Sequence, residues 1–533
     1  MKRLTFTFIL ICMAATAVQA QQEKALFTLD RMEWINPWLR TSNAAGLSGN
    51  AAFLSDTVKG FNDASAAGSI AAGGYKNIYD AERQVTGILG IDSYMKLKRV
   101  FLHGKVGYRY EYGTNHRWRG LVNPYEMPFM VADSIPGNMS NEIYSLEAGI
   151  GIPLKNGWAI GVNTTYNASI MAKHKDLRNK NTYMEFDITP GVSYTGKLFQ
   201  IGFNLGFLRN TEKIEYMQVD ASTEKYLFDL YGMWLYSSNG FSSAEEKRYK
   251  LRNEYYGALQ LGFSFSNIRI FNNFEARYTD ATQTETGYNN LHHGDISKFL
   301  LTDSFSLLIG RQHRIDISAS GYRMNGFRFL QRQELDPDSK VRIWVTYGDP
   351  VFCYDRCVTD GMLSYTFRKL GNTPDTDGKL SPFDINWEIS AAVKGYTMRQ
   401  NYYEHPVQFS QKYSLLEPMA TFSKYWKKGS HLFDLTPSLS YTIPTESGHK
   451  DDVTAAGAKQ GESPWQLEEP LAKEYSFFTS ERVNASLSLR YAHILKKAST
   501  IYIKGTYLLH SVTKGDLQGE ARHSGTLTIG YTF

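Results

Sequence analysis

An all-β transmembrane barrel is the fold class that this sequence predicts, and three observations predict it. Apolar and polar residues alternate at period two over runs of about 9–11 residues, the length of a tilted membrane strand. After Ala20, no apolar run reaches the roughly 18 residues of a membrane helix. The composition suits aromatic rims and tight turns, with 35 Tyr, 30 Phe and 44 Gly against only 16 Pro.

The alternation recurs from segment to segment. Phe433, Leu435, Pro437, Leu439, Tyr441 and Ile443 interleave with Asp434, Thr436, Ser438, Ser440 and Thr442. Val483 to Tyr491, Ile385 to Val393 and Phe199 to Phe207 repeat the pattern. A closed barrel answers the physical demand of a bilayer, because each backbone N–H and C=O is paired between strands and no edge meets lipid. Against that template the chain holds about 18 strands, and no fewer than about 14. They centre near Ile70, Ile91, Tyr108, Ala148, Val162, Ile188, Phe203, Leu261, Phe274, Phe305, Ile317, Leu363, Ile389, Met419, Leu439, Leu487, Ile503 and Ile529.

The connections fall into two alternating classes, short turns at one end and long loops at the other, as a membrane barrel requires. Lys98-Arg99, Lys155-Asn156-Gly157, Ser266-Asn267 and Lys496-Lys497-Ala498 are short. Gly113–Ser140, Met217–Asn253, Arg332–Cys357 and Pro444–Phe478 are long. Leu370 to Pro382 takes a short-turn place yet is long and rich in Gly, Pro and Asp, which allows a miscount of one hairpin there.

Residues 1–20 are read as a cleaved signal peptide: basic Lys2 and Arg3, an apolar Leu4 to Ala17, then Val18-Gln19-Ala20 as the cleavage site. Ile11 before Cys12 does not suit a lipoprotein signal. Residues 21–65 lack strong alternation and carry Trp34-Ile35-Asn36-Pro37-Trp38; they are expected to form a lumenal plug or a periplasmic segment. Residues 66–533 are the barrel. Its last strand alternates Leu527, Ile529, Tyr531 and Phe533 with Thr528, Gly530 and Thr532, so the apolar set faces lipid.

That terminal strand resembles the insertion signal of outer-membrane barrels. In its whole layout, from signal to terminal Phe, the chain resembles the uncharacterised porin-like outer-membrane barrels of Bacteroidota. The resemblance implies the outer membrane as location, with its lipid and the barrel-insertion machinery as partners. It differs from TonB-dependent receptors, which look like a plug of well over a hundred residues and about 22 strands.

Charges on a lipid-facing surface cost about 2–4 kcal/mol near the midplane, so the alternation turns them inward. The lumen is expected to present Lys105, Arg109, Glu111, Arg269, Glu275, Arg277, Arg314, Asp316, Glu388, Lys394, Asp434, Arg490 and Lys504. Asp303 falls on the outer face, which predicts a bulge or slip there. An aqueous passage for hydrophilic solutes is the first functional reading. A non-conducting accessory barrel, partnering surface lipoproteins or another membrane complex, is the second, and an outer-membrane hydrolase the weakest.

No catalytic, cofactor or metal residue emerges. His292-His293-Gly294-Asp295 reads as a solvated loop, since adjacent histidines on a strand point apart and no ligand spacing surrounds them. Cys353 and Cys357 are expected to staple a surface loop as a disulfide, provided the chain turns back between them. A net charge of +5 is spread along the chain, which argues against nucleic acid.

Overall fold

The computed structural model describes residues 28–50, 60–220, 222–240, 245–285, 291–372, 381, 383–404, 407–450, 465–495 and 499–533. The predicted signal peptide, the turn at Lys496-Lys497-Ala498 and most of the connection from Leu370 to Pro382 lie outside them.

Eighteen antiparallel strands form one closed sheet. In chain order they are β1 Gly60–Gly73, β2 Arg83–Leu97, β3 Val100–His116, β4 Gly137–Pro153, β5 Trp158–Lys173 and β6 Arg178–Thr195. Then come β7 Phe199–Met217, β8 Glu245–Phe265, β9 Ile268–Glu285, β10 His292–Ile309, β11 His313–Arg328 and β12 Val351–Leu370. The wall ends with β13 Ile385–Glu404, β14 Val407–Lys428, β15 His431–Lys450, β16 Glu481–Ile494, β17 Thr500–Lys514 and β18 Ala521–Thr532. Each strand pairs with its sequence neighbours, and β18 pairs with β1 from Asp63↔Thr532 to Gly73↔Arg522. All the sequence-predicted centres fall inside these strands. Leu370 pairs with Ile385, so β12 and β13 are direct neighbours and no hairpin is missing from the count.

Alternation decides which face each residue takes. Leu527, Ile529 and Tyr531 are exposed on the outer surface, while Thr532 is buried inward. On β7, Phe199, Ile201, Phe203, Leu205 and Phe207 point out, and then the outward series turns polar with Arg209, Thr211, Lys213 and Glu215. The apolar stretch spans about 9 residues, which at a tilt of about 40° makes a band close to 25 Å tall. β7 is 19 residues long, so its remainder stands above that band at the long-loop end. Outward aromatics cluster at the short-turn rim, with Trp158 5.1 Å from Tyr194 and Phe433 5.0 Å from Tyr491. A second cluster, Tyr108–Tyr144 and Phe207–Tyr255, marks the upper edge. Such girdles sit at headgroup depth.

Three expectations are corrected. β1 begins at Gly60, so the wall starts before residue 66. Asp303 does face outward, on a strand regular from Asp295 to Ile309 with no bulge at that point. Asn272 on β9 donates to it at 2.7 Å, and that bond offsets part of the cost of a carboxylate among Leu301, Phe305 and Phe274. Cys353 and Cys357 form no disulfide and lie on one extended strand. β12 continues past the apolar band, and a straight strand separates residues four apart by about 13 Å, too far for a disulfide.

Candidate functional site: a lumen closed at both ends

The short-turn end is occupied by residues 28–50. Asn43 donates to Gln260 at 2.9 Å and to the Val192 carbonyl, and Trp38 Nε1 donates to Gln200 at 2.9 Å. Trp38 is 1% exposed. Helix α1, Leu29–Ile35, is capped by Thr28 and lies under two guanidinium groups. Arg368 and Arg314 sit 3.6 Å and 5.3 Å from the Trp34 ring. Arg314 also donates to the carbonyls of Glu33 and Trp34, and Arg269 to that of Ile35. Helix α2, Ala44–Asn50, lies against β4, β5 and β6.

The wall is cut to receive it. At Gly161 a Cβ would stand 2.4 Å from the Ala45 nitrogen, at Gly151 2.5 Å from the Ala44 carbonyl oxygen, and at Gly202 2.6 Å from the Trp38 ring. These glycines occupy inward positions, so backbone approaches backbone where any side chain would intervene. Their signal was present in the sequence as isolated glycines inside strands, which mark close approach. A cavity of about 460 Å³ remains between this segment and the wall, lined by Trp34, Trp38, Gln200, Arg269 and Arg314 among others.

The long-loop end is closed by loops that fold inward. Phe129–Ala132, Tyr226–Tyr231, Leu235–Gly240 and Trp465–Gln466 form a small four-stranded sheet, drawn from three separate connections. Helix α3, Glu468–Thr479, follows it. Trp118, Leu121, Phe129, Val131, Leu230, Trp234, Leu235 and Leu471 make an apolar core with Tyr354, Tyr402 and Phe409 of the wall. Buried charges tie the loops to the wall. Glu126 accepts from Lys250 at 2.5 Å and Arg252 at 2.8 Å, and Arg248 pairs with Asp229 at 2.7 Å. Trp234 Nε1 donates to Glu474 of α3 at 2.7 Å. Burial pushes the Glu474 carboxyl above the ordinary carboxylate range, against the pull of that N–H and of Arg356.

The sequence-predicted lumen charges face inward, with Arg269 and Arg314 bonded to the inner segment; Arg269 apart, they fall into two sets. Glu275 pairs with Arg277 at 2.8 Å, Arg277 with Glu254 at 2.6 Å, Arg314 with Asp316 at 2.8 Å and Arg490 with Asp434 at 3.0 Å. Glu388 pairs with Arg368. Glu111 lies 3.4 Å from Arg109, whose side chain stays 48% exposed. Lys105, Lys394 and Lys504 face the lumen exposed, with no partner among the described residues. The terminal-strand residues Leu527, Ile529 and Tyr531 take no part in the interior.

His292 and His293 open β10 rather than sitting in a loop. His292 bonds Asp295 at 2.7 Å and stacks on Phe329 at 3.8 Å; His293 meets Arg248 at 2.8 Å. Among the described residues no group of three or more His, Cys, Asp or Glu is placed to hold a metal.

A family model, described as a family of unknown function, DUF6850, matches residues 51–533. No curated protein matches the chain in sequence. Among solved structures, the copper transporter OprC is 8% identical with a TM-score of 0.39, covering 88% of this chain and 80% of its own. The ferric citrate transporter FecA is 9% identical with a TM-score of 0.39, covering 89% of this chain and 79% of its own. The outer membrane transporter YddB from Escherichia coli is 6% identical with a TM-score of 0.38, covering 88% and 81%.

Proposed function

The chain belongs to DUF6850, a family of unknown function, and from that starting point we propose that it is a gated, solute-selective transport barrel of the outer membrane, with the short-turn end periplasmic. One observation carries the reading. Lys105, Arg109, Lys394 and Lys504 face the lumen exposed, in a barrel whose long-loop end holds a packed assembly of loops and whose short-turn end holds the segment 28–50. A barrel that served only as a scaffold has no need of exposed charge in its interior, whereas a passage does. Closure at both ends disfavours a permanently open porin and requires displacement of one or both seals. The outer band of apolar residues and its aromatic girdles support insertion in lipid.

The same double closure favours a second reading, a non-conducting accessory barrel whose long loops engage surface lipoproteins or another membrane complex. Planar-bilayer recording separates the two. The intact protein is expected to conduct little, and a variant lacking Leu29–Asn50 to conduct in large steps when the lid is also loosened by Trp234→Ala. Silence from both proteins, with a stoichiometric protein partner co-purifying from the native membrane, would sink the transport reading.

A further inference from the structure

The cavity of about 460 Å³ beside the inner segment falls within the roughly 300–1,000 Å³ that small-molecule sites occupy. Its border divides by chemistry. One part is apolar and mostly aromatic, with Trp34 and Trp38 from the segment and Phe101, Phe271 and Leu308 from the wall. Trp38 and Phe271 already meet edge to face, their centroids 5.2 Å apart, and Trp38 is tied to Gln200, so this surface is set before any solute arrives. The charged part is cationic. Lys96, Arg269 and Arg314 border the cavity, and among the described residues no carboxylate does. Arg314 is matched by Asp316 at 2.8 Å. Arg269 has no carboxylate partner among the described residues. Its bond goes to the Ile35 carbonyl at 3.2 Å, which uses one of the five N–H groups of a guanidinium. Trp34 Nε1 and Asn36 Nδ2, buried in two residues of the same border, have no acceptor either. Donors without acceptors thus gather beside an apolar surface, around one cavity.

We infer that this cavity is a binding site for an amphipathic carboxylate, a solute with one anionic group on a ring-sized apolar body. Arg269 takes the carboxylate, whose two oxygens match the planar fork of the guanidinium. Trp38, Phe101 and Phe271 take the body. A small inorganic anion would leave the aromatic surface wet, and a neutral apolar solute would leave Arg269 unmatched. The site goes beyond the transport reading, since it needs no passage through the lumen. It has the segment on one side and the wall on the other, so only the docked segment completes it. An occupant therefore stabilises the seal at the short-turn end by linkage.

Calorimetric titration of the full-length protein in neutral detergent with 2-naphthoate tests it, with detergent alone as the blank. One molecule is expected to bind per chain, and the neutral methyl ester to bind about tenfold more weakly or worse, the usual loss with a charge-assisted bond. Arg269→Gln should weaken the acid by about tenfold or more and leave the ester unchanged. Ser264→Phe narrows the cavity without touching the charge and should abolish binding of both. Lys155→Gln on a turn should change neither. At ten times its Kd, 2-naphthoate should slow proteolysis between Leu29 and Asn50 by about tenfold. Compact migration of the unheated protein on a gel checks that each variant is folded. No binding by the native protein, undiminished binding by Ser264→Phe, or equal affinity for acid and ester would overturn the inference. Binding that leaves the proteolysis rate unchanged would overturn the link to the seal. A silent barrel that binds 2-naphthoate would overturn transport alone.

Discussion

The tightest contact between the inner segment and the wall is a matter of single atoms. Gly161 admits the backbone of Ala45, and no larger residue does. Gly161→Leu should therefore expel α2 while leaving the wall intact, because β5 keeps its ladder to both neighbours from Met139↔Lys173 to Ala172↔Lys180. The expected cost is about 1–3 kcal/mol of thermal stability, the usual range for overpacking. Limited proteolysis reads it directly: cleavage between Leu29 and Asn50 rises sharply in the variant. Continued protection of that segment would show that α2 does not depend on the glycine. At this same scale the sequence was an uneven guide. Paired Glu275 and Arg277 lie two apart on β9, and that proximity was readable. The bond from Trp38 to Gln200 joins residues 162 positions apart, and nothing local announces it. Asp303 misled for a physical reason. A lipid-facing carboxylate is expensive, but an amide on the neighbouring strand lowers the cost enough for the register to survive.

Strands were legible because two solvents act on them at once. Lipid on one face and a polar lumen on the other impose period two on every segment, and β1 to β18 obey it. The lid obeyed no such rule. Its strands are short, two to six residues, and α3 is only 12 residues long. What holds them is contact between distant loops, as in Trp234 with Glu474. Glu474 makes the docking of α3 depend on acidity. Its pKa is raised in the docked state, so docking takes up a proton that the free helix releases. The contribution is complete below the ordinary Glu value and is lost as pH climbs through the raised one. Protease nicking within Leu467–Thr479 should thus increase as pH rises from about 4 to about 8. Glu474→Gln should flatten the response. Nicking that rises equally in that variant would assign the effect to another group.

For the whole molecule, closure of the ring is the property on which everything else depends. Ser69 and Thr526 are register partners across the β1–β18 seam, and both turn inward. Directly opposed residues of antiparallel strands lie about 4.5–5.5 Å apart at Cα, within disulfide reach. Ser69→Cys with Thr526→Cys, in a background of Cys353→Ser and Cys357→Ser, should oxidise to a cross-linked ring. Non-reducing electrophoresis after denaturation would then show a faster-migrating band, and its absence would mean that the seam pairs otherwise. The seal at the long-loop end has a different kind of unity. It takes strands from three connections into one small sheet over one apolar core. No single loop can swing aside while the other two stay packed, since each would leave its apolar side bare to water. Under the transport reading, release is therefore cooperative and its barrier is high. Such a barrel spends nearly all its time shut, and its traffic comes in rare, complete events instead of a steady leak. That is a kinetic safeguard, which lets a wide ring stand in an outer membrane without surrendering the barrier function of that membrane.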